Sequence, residues 1–262
     1  MALVASREAH RHDALNGGWS GVAGYAGLVY AWSGFIVMWG FWTCFVIFLA
    51  NPSRLPAYWP LPTVDRGGSM QEPWGAALID VGLIALFGLQ HSLMARPWFK
   101  DWWAASVPPA FERSTYVHMV NAALFALIIL WQPIPIELWR VAPGFLRDGL
   151  WVLFGLGWII LFAGAWSFGL RDLLGLDQMR RWRHGLPPPP PRLHTGFLYG
   201  WLRHPMYVGV LLGVWATPTM TAGHALLACG LTAYVGIAMR YEERDLARRF
   251  GATYRCWRGP LR

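Results

Sequence analysis

The residues best suited to chemistry occur in four short polar stretches, each bordering a long apolar segment. They include imidazoles that can accept a proton, carboxylates that can bind a cation or accept hydrogen bonds, and arginines that can bind an anion. The stretches are Gln90, His91 and Ser92; Arg113, Ser114, Tyr116 and His118; Arg203, His204 and Tyr207; and Arg240, Glu242 and Glu243. Because a charge inside a bilayer costs from roughly 2.5 to above 10 kcal/mol, ionisable groups at such positions are candidates for function.

The adjacent carboxylates Glu242 and Glu243 allow two interpretations. Arg244, Arg248 and Arg249 follow them, so an exposed helix with ion pairs between successive turns would explain the arginines. An exposed helix does not explain well why two neighbouring carboxylates lie at the edge of an apolar segment, because at least one of them must point back toward the other helices. We expect such a carboxylate to bind a cation or to accept hydrogen bonds from sugar hydroxyls.

Three other ionisable residues lie in or near apolar segments. His91 and His118 are either neutral core histidines, hydrogen-bonded to neighbouring helices, or functional groups, and a pair of haem or metal ligands is the sharper alternative. Asp80 is expected to face a helix partner rather than lipid. The three cysteines are an odd number and predict neither a disulfide framework nor a zinc site, and no metal is assigned to the chain.

The elements that must position these groups are membrane helices. The 262 residues are 55% hydrophobic and 14% charged, and the mean hydropathy is +0.33. The apolar segments are 22–50, 74–94, 116–139, 150–170, 198–217 and 222–239. Most are close to the roughly 20 residues that a helix needs to cross a bilayer. We predict an all-α, polytopic transmembrane bundle of five to six segments, which excludes soluble, disordered and disulfide-rich classes.

The distribution of basic residues predicts the orientation of the bundle. Of 22 lysines and arginines, 18 lie in the termini, between the second and third segments, and between the fourth and fifth; the other four are Arg54, Arg66, Arg140 and Arg147. By the positive-inside rule, the basic side faces the cytoplasm. Topology therefore explains the charge, so we expect an integral protein of a bacterial inner membrane and no nucleic-acid partner.

The last two segments are predicted to form a hairpin broken at Pro218. The uncharged part of the first arm, 205–217, is only about 20 Å long as a helix, less than a hydrocarbon core of about 30 Å. Either 198–204 completes the crossing, or the hairpin does not fully traverse. The spacing of Gly209 and Gly213 predicts close helix packing.

The remaining segments are loops and tails around a single membrane domain, 20–257. Residues 171–203 form the longest loop on the basic side, and the prolines of 187–191 make it either a stiff linker or one wall of a cavity. A short arginine-rich helix is predicted after the last membrane segment. Residues 1–19 and 258–262 are predicted to be tails.

Three motifs in order carry a family resemblance. Arg203, His204, Pro205 and Tyr207 are followed by Glu242, Glu243 and Leu246, and then by Phe250, Gly251 and Tyr254. This C-terminal pattern resembles the isoprenylcysteine carboxyl methyltransferase-like membrane methyltransferases. Further stretches around Gln90 to Arg96, Pro108 to Val117, Trp131 to Pro135 and Trp215 to His224 are similar to a bacterial branch that acts on methanethiol, and the likeness covers roughly residues 80–257.

The resemblance implies methyl transfer from S-adenosylmethionine to a small apolar thiol, methanethiol giving dimethyl sulfide. It assigns the cofactor pocket, within a C-terminal segment 240–257, to Arg203, His204, Tyr207, Glu242, Glu243 and Tyr254. Trp257 stands where the family usually has a tyrosine, and residues 51–68 are unlike the branch. No Gly-x-Gly-x-x-Gly motif follows a predicted strand, so a soluble Rossmann-type cofactor site is not expected, in agreement with a pocket built from helix ends. Gly155 and Gly157 lie inside an apolar helix and are assigned to packing.

Methyl transfer to a thiol requires a thiolate and a water-poor site. We expect His91 or Tyr116 to accept the thiol proton, and Arg240 or Arg113 to favour the anion. The expected partners are a small apolar thiol and membrane lipid, with no obligate protein partner. Alternatives are the same reaction on an isoprenylcysteine carboxylate or phospholipid amine, a haem-binding or regulatory membrane protein, and a transporter.

Overall fold

The computed structural model describes residues 22–53, 55, 59–68, 72–187, 189–190 and 192–259. The predicted N-terminal tail, 1–19, and residues 260–262 of the predicted C-terminal tail lie outside this description.

Helices account for almost all of the regular structure. The helices are α1 (Val22–Ala50), α2 (Pro73–Leu93), α3 (Pro97–Trp103), α4 (Glu112–Leu130), α5 (Phe145–Leu173), α6 (Leu176–Arg183), α7 (Pro205–Trp215) and α8 (Ala222–Arg258). Two 3₁₀ turns, Pro109–Phe111 and Phe197–Gly200, and two strands, β1 (Glu137–Arg140) and β2 (Thr219–Thr221), complete the described elements. Five helices, α1, α2, α4, α5 and α8, are long and apolar enough to cross a membrane, which confirms the predicted polytopic helical bundle.

One of the predicted boundaries, the end of the third segment, is wrong. The predicted extension of this helix to residue 139 is wrong, because α4 ends at Leu130. Pro133 and Pro135 follow closely, and proline removes a helical hydrogen bond and clashes with the preceding turn. The residues beyond them instead form β1, which pairs antiparallel with β2.

The pairing of β1 with β2 shows how far the last hairpin reaches. β1 lies in the loop that joins the end of α4 to the start of α5. The start of α4 and the end of α5 lie beside Arg203, at the opposite end of the bundle. We call the end that carries Arg203 the basic end. Helix α7 has 11 residues, about 16 Å at 1.5 Å per residue, and the extended chain after it completes the path to β2. Residues 198–204 are not a continuation of this helix: they consist of the end of a 3₁₀ turn and an irregular link to Pro205.

The core depends on close contact between α5 and α7. A Cβ atom added at Gly157 would lie 2.5 Å from the backbone nitrogen of Gly213 and 2.8 Å from the carbonyl oxygen of Gly209. Only glycine therefore permits this approach, which confirms the packing predicted for Gly209, Gly213 and Gly157. The contact holds α7 against α5 and fixes the position of His204 and Tyr207.

Replacing Gly209 by alanine should destabilise the protein, because its new Cβ would lie 2.5 Å from the nitrogen of Leu161 and 2.6 Å from the oxygen of Gly157. Both are backbone atoms, so the helices must separate, at a cost of about 1 to 3 kcal/mol. Gly155→Ala is the matched control, since no atom lies within 4 Å of a Cβ there. Thermal unfolding in detergent measures the difference, and equal midpoints for the two variants would contradict the close packing.

The C-terminal helix is not a separate element. α8 continues without a break past Met239 and is interrupted only at Gly251, where φ is +53°. The sequence after Met239 is rich in residues that favour helices. The predicted short C-terminal helix is therefore the continuation of the last membrane helix, bent at a glycine that tolerates positive φ.

Candidate active site

Two carboxylates and an imidazole meet at the basic end of the bundle. The Nε2 atom of His204 lies 3.3 Å from Oε1 of Glu243, and its Nδ1 atom lies 3.7 Å from Oε2 of Glu242. The side chain of His204 is 11% exposed, that of Glu243 21% and that of Glu242 41%. At least one carboxylate therefore points into the bundle, which is the second of the two interpretations drawn from the sequence.

Tyrosine hydroxyls surround the same carboxylates. The ring of Tyr207 stacks on His204 at 5.5 Å between centroids, and its hydroxyl donates a hydrogen bond to Glu242. Tyr199 is buried in the 3₁₀ turn before α7. Burial raises the pKa of Tyr199, and the negative charge of Glu242 raises it further. This phenol therefore stays protonated at neutral pH and is available as a donor.

Local sequence explains why these side chains converge. Pro205 is the first residue of α7, and a proline at this position starts a helix without losing a hydrogen bond. His204 precedes it in a non-helical conformation, so its ring lies beside α8. The glutamates lie on α8, which packs against α7.

A large cavity opens beside this cluster, with a volume of about 1820 Å³. Arg113, Arg203 and Glu242 line it. Pro189 and Pro190 form part of its wall, so the proline run contributes to a cavity and is not merely a linker. The volume exceeds the roughly 300 to 1,000 Å³ of an ordinary small-molecule pocket, and leaves room for more than one ligand.

A second group of predicted residues lies between α2 and α4. The hydroxyl of Tyr116 donates to the backbone oxygen of His91 at 3.2 Å, and the two rings are 5.3 Å apart. Phe87 stacks on the other side of His91 at 5.6 Å. Nδ1 of His91 is buried and has no hydrogen-bond partner among the described residues. Such a nitrogen is free to bond with a ligand.

Tyr234 joins the two groups and was not identified from the sequence. Its ring lies edge-on to His91 at 6.0 Å and to Phe87 at 6.2 Å. A hydrogen bond joins its hydroxyl to that of Ser92, and Glu242 and Tyr207 lie within electrostatic range. A single tyrosine in an apolar helix carries no sequence signal, so only the packing of α8 against α2 reveals it.

The other predicted residues lie in different surroundings. Arg113 donates its backbone N–H to Gln178 on α6 and lines the cavity. Arg240 is exposed on α8 and is not among the residues that line the cavity. Tyr254 is fully buried beyond the bend at Gly251, beside the ring of Trp257, which does line the cavity.

His118 and Asp80 have structural surroundings. His118 contacts α1, with Nε2 3.0 Å from the backbone oxygen of Tyr30 and the two rings 4.4 Å apart. His91 instead contacts Phe87, Tyr116 and Tyr234, so the two imidazoles pack against different side chains. Asp80 is buried and accepts a hydrogen bond of 2.8 Å from the backbone of Gln132, just after α4, which confirms that it faces a helix partner.

The side chains around the cavity suit a ligand that combines a cation, an aromatic base and a carboxylate. Glu242 can face the cation, the rings of Phe168, Tyr199 and Trp257 can stack on the base, and Arg203 can bind the carboxylate. S-adenosylmethionine has these three features, so this set of side chains fits it. Within the described ranges, no group of three or more His, Cys, Asp or Glu side chains could hold a metal ion.

Comparison with known proteins identifies the family. Residues 151–253, which contain the His204 and Glu242 cluster, match the phospholipid methyltransferase family. A methanethiol S-methyltransferase of Mycobacterium tuberculosis is 40% identical over 197 residues, covering 75% of this chain and 80% of the relative. Methanethiol S-methyltransferase 2 of Bradyrhizobium diazoefficiens is 44% identical over 186 residues, covering 70% of each chain.

No solved structure matches the chain. The relatives are nevertheless similar over most of their own length, and the matched family range includes the carboxylate cluster. The chain therefore belongs to the methanethiol S-methyltransferase family and is a membrane methyltransferase.

Proposed function

We propose that this protein transfers the methyl group of S-adenosylmethionine to methanethiol and releases dimethyl sulfide. The observation that carries the proposal is the meeting of Glu242, Glu243 and His204 beside a cavity at the basic end. Tyr234 connects this cluster to the partly buried His91. The names of the relatives support methanethiol as the acceptor. A small apolar thiol and its neutral product both partition into lipid, which gives such an enzyme a reason to lie in a membrane.

S-adenosylmethionine supplies a methyl group on a positively charged sulfur, and the protein must bind it, align it and exclude water. Glu242 and Glu243 are proposed to accept hydrogen bonds from its hydroxyl or amino groups. His204 and Tyr207 hold these carboxylates in place through the contacts described above. Arg203 would bind the carboxylate group, and Tyr254 would support the wall behind Trp257.

The geometry favours His91 over Tyr116 as the proton acceptor. The Tyr116 hydroxyl is already committed to the carbonyl oxygen of His91, whereas Nδ1 of His91 is buried without a partner in the described structure. In the proposed step the thiol gives its proton to Nδ1 of His91, and the thiolate sulfur forms a bond to the methyl carbon as the donor carbon–sulfur bond breaks. Tyr116 then positions the imidazole by holding the backbone of His91 and by packing its ring against the imidazole ring.

The positions of the two arginines favour Arg113 over Arg240 as the charge that stabilises the thiolate. Arg113 lines the cavity, and its helix, α4, also carries Tyr116. The side chain of Arg240 is exposed. The positive-inside rule assigns the segments that carry 18 of the 22 basic residues to the cytoplasm. Arg113 and Arg203 belong to those segments and line the cavity, so the cavity is proposed to face the cytoplasm of a bacterial inner membrane.

The proposal is tested by incubating the purified protein in detergent with methyl-labelled S-adenosylmethionine and a panel of acceptors. The panel contains methanethiol, longer thiols, a prenylcysteine and phosphatidylethanolamine. We expect label in the headspace as dimethyl sulfide. Label in the lipid phase, or on the prenylcysteine alone, would assign a different acceptor.

Removing the hydroxyl of Tyr234 should slow methyl transfer without weakening cofactor binding. Tyr234→Phe keeps the ring that packs on Gly88 and Phe87 but loses the hydrogen bond to Ser92 beside His91. A hydrogen bond of about 1 kcal/mol corresponds to a roughly fivefold fall in kcat. Tyr241→Phe is the matched control, since Tyr241 is exposed on the same helix. Initial rates of dimethyl sulfide release measure both, and equal rates would exclude Tyr234 from the site.

A further inference from the structure

A second groove lies on the outer side of the cavity wall. It has a volume of about 690 Å³ and is lined mainly by Trp166, Ser167, Arg192, His194, Thr195 and Phe197. Arg192 and His194 also line the large cavity, so the segment that carries them separates the two spaces. The reaction proposed above uses no residue of this groove.

The apolar side of the groove consists of exposed aromatic rings. Trp166 is 75% exposed and Phe197 is 70% exposed. Trp166 lies on α5 one turn before Gly169, where the helix is interrupted, and this places it near the basic end. Aromatic residues at the end of a membrane helix commonly lie at the level of the lipid headgroups.

Phe197 is held in an unfavourable backbone conformation. Its φ is +51°, in the left-handed region that non-glycine residues seldom adopt. Its 70% exposed side chain buries too little surface to stabilise this conformation. Strained residues of this kind cluster at active sites, ligand-binding sites and switch regions, which makes a partner for the ring outside the chain the hypothesis to test.

The polar side of the groove is suited to an anion. Arg192 forms no ion pair within the described part of the chain. His194 lines both the groove and the cavity, and its ring packs against Phe168 with 4.3 Å between centroids. Ser167 and Thr195 add hydroxyl donors. A guanidinium with neighbouring hydroxyls is a common arrangement for binding phosphate.

We propose that this groove binds an anionic phospholipid. Arg192, Ser167 and Thr195 hold the phosphate, and the first part of an acyl chain lies along Trp166 and Phe197. The combination of one cation with two exposed rings fits an amphiphile better than a soluble phosphate, which would leave the rings in water. Because the groove shares a wall with the cavity, a bound lipid also supports that wall.

Lipid binding is measured by native mass spectrometry of the purified full-length protein in detergent. Phosphatidylglycerol, which has no amine and cannot be an amine acceptor, is titrated against phosphatidylcholine, and glycerol 3-phosphate serves as the soluble arm. We expect the wild-type protein to prefer phosphatidylglycerol, and Arg192→Gln to weaken its binding about fivefold. Trp166→Ala should weaken binding of both lipids.

Matched controls separate this site from general lipid contact and from the proposed reaction. Arg255→Gln removes an exposed arginine that lines neither space, and Trp74→Ala removes a ring that is 84% exposed in the first turn of α2. Both should bind phosphatidylglycerol as the wild type does. Equal affinity of Arg192→Gln and Arg255→Gln, no preference between the lipids, or displacement of phosphatidylglycerol by glycerol 3-phosphate would overturn the proposal. None of these results depends on methyl transfer.

Discussion

Glu243→Gln is expected to weaken binding of S-adenosylmethionine about 100-fold, equivalent to about 2.7 kcal/mol. The substitution preserves the shape of the side chain and removes its charge. Glu243 is the less exposed of the two glutamates and lies 3.3 Å from His204. Loss of a charged acceptor from such a partly buried site leaves its hydrogen-bond donors without a charged partner. Glu242→Gln should have a smaller effect, because its carboxylate is 41% exposed.

Titration calorimetry of the purified protein in detergent measures both affinities. Glu137→Gln is the matched control, since Glu137 is an exposed glutamate on β1, paired with Arg140 at the other end of the bundle. It should bind the cofactor with wild-type affinity. If both single variants at 242 and 243 also retained that affinity, the role proposed for the paired carboxylates would be wrong.

The fold could be predicted to the extent that it depends on hydropathy. A largely apolar segment of 29 residues has few alternatives to a membrane helix, and the bounds predicted for α1 agree with the structure. Hydropathy does not detect the effect of Pro133 and Pro135, since the apolar side chains of Ile134, Ile136 and Leu138 continue the apolar pattern around them. It also gives no sign that the extended residues after α7 pair with β1, because strand pairing joins distant parts of the chain.

The candidate site could be predicted in part. The sequence motifs that contain Arg203, His204 and the two glutamates resemble those of a known family, and this resemblance assigned the four residues to one pocket. The structure places His204 against both glutamates. The choice of His91 over Tyr116 as the proton acceptor depends on the hydrogen bond from the Tyr116 hydroxyl to the backbone oxygen of His91, which the sequence does not show. Tyr234 could not be found, because its importance comes only from the four helices that meet around it. Motifs within one segment can be read from sequence, whereas contacts between segments cannot.

His91→Gln is expected to lower kcat about 100-fold while cofactor affinity stays unchanged. Glutamine retains hydrogen-bonding capacity but cannot accept a proton near neutral pH, and general bases commonly contribute a factor of about 10² to 10⁴. Tyr116→Phe should lower kcat only a few-fold, since it removes one neutral hydrogen bond, worth about 1 kcal/mol, to the backbone of His91. Rates of dimethyl sulfide release at saturating cofactor give both values.

His118→Gln provides the matched control, since His118 is another partly buried histidine of the same bundle. His118 contacts Tyr30 and Ser33 of α1, so its loss should lower the unfolding midpoint but leave kcat near the wild-type value. A base must also impose a pH dependence on the rate, and His91→Gln should remove the acidic limb of the kcat profile that the wild type and His118→Gln share. If Tyr116→Phe abolished that limb while His91→Gln kept it, the proton would have to be assigned to the phenol, because a residue that only orients the imidazole cannot remove its titration.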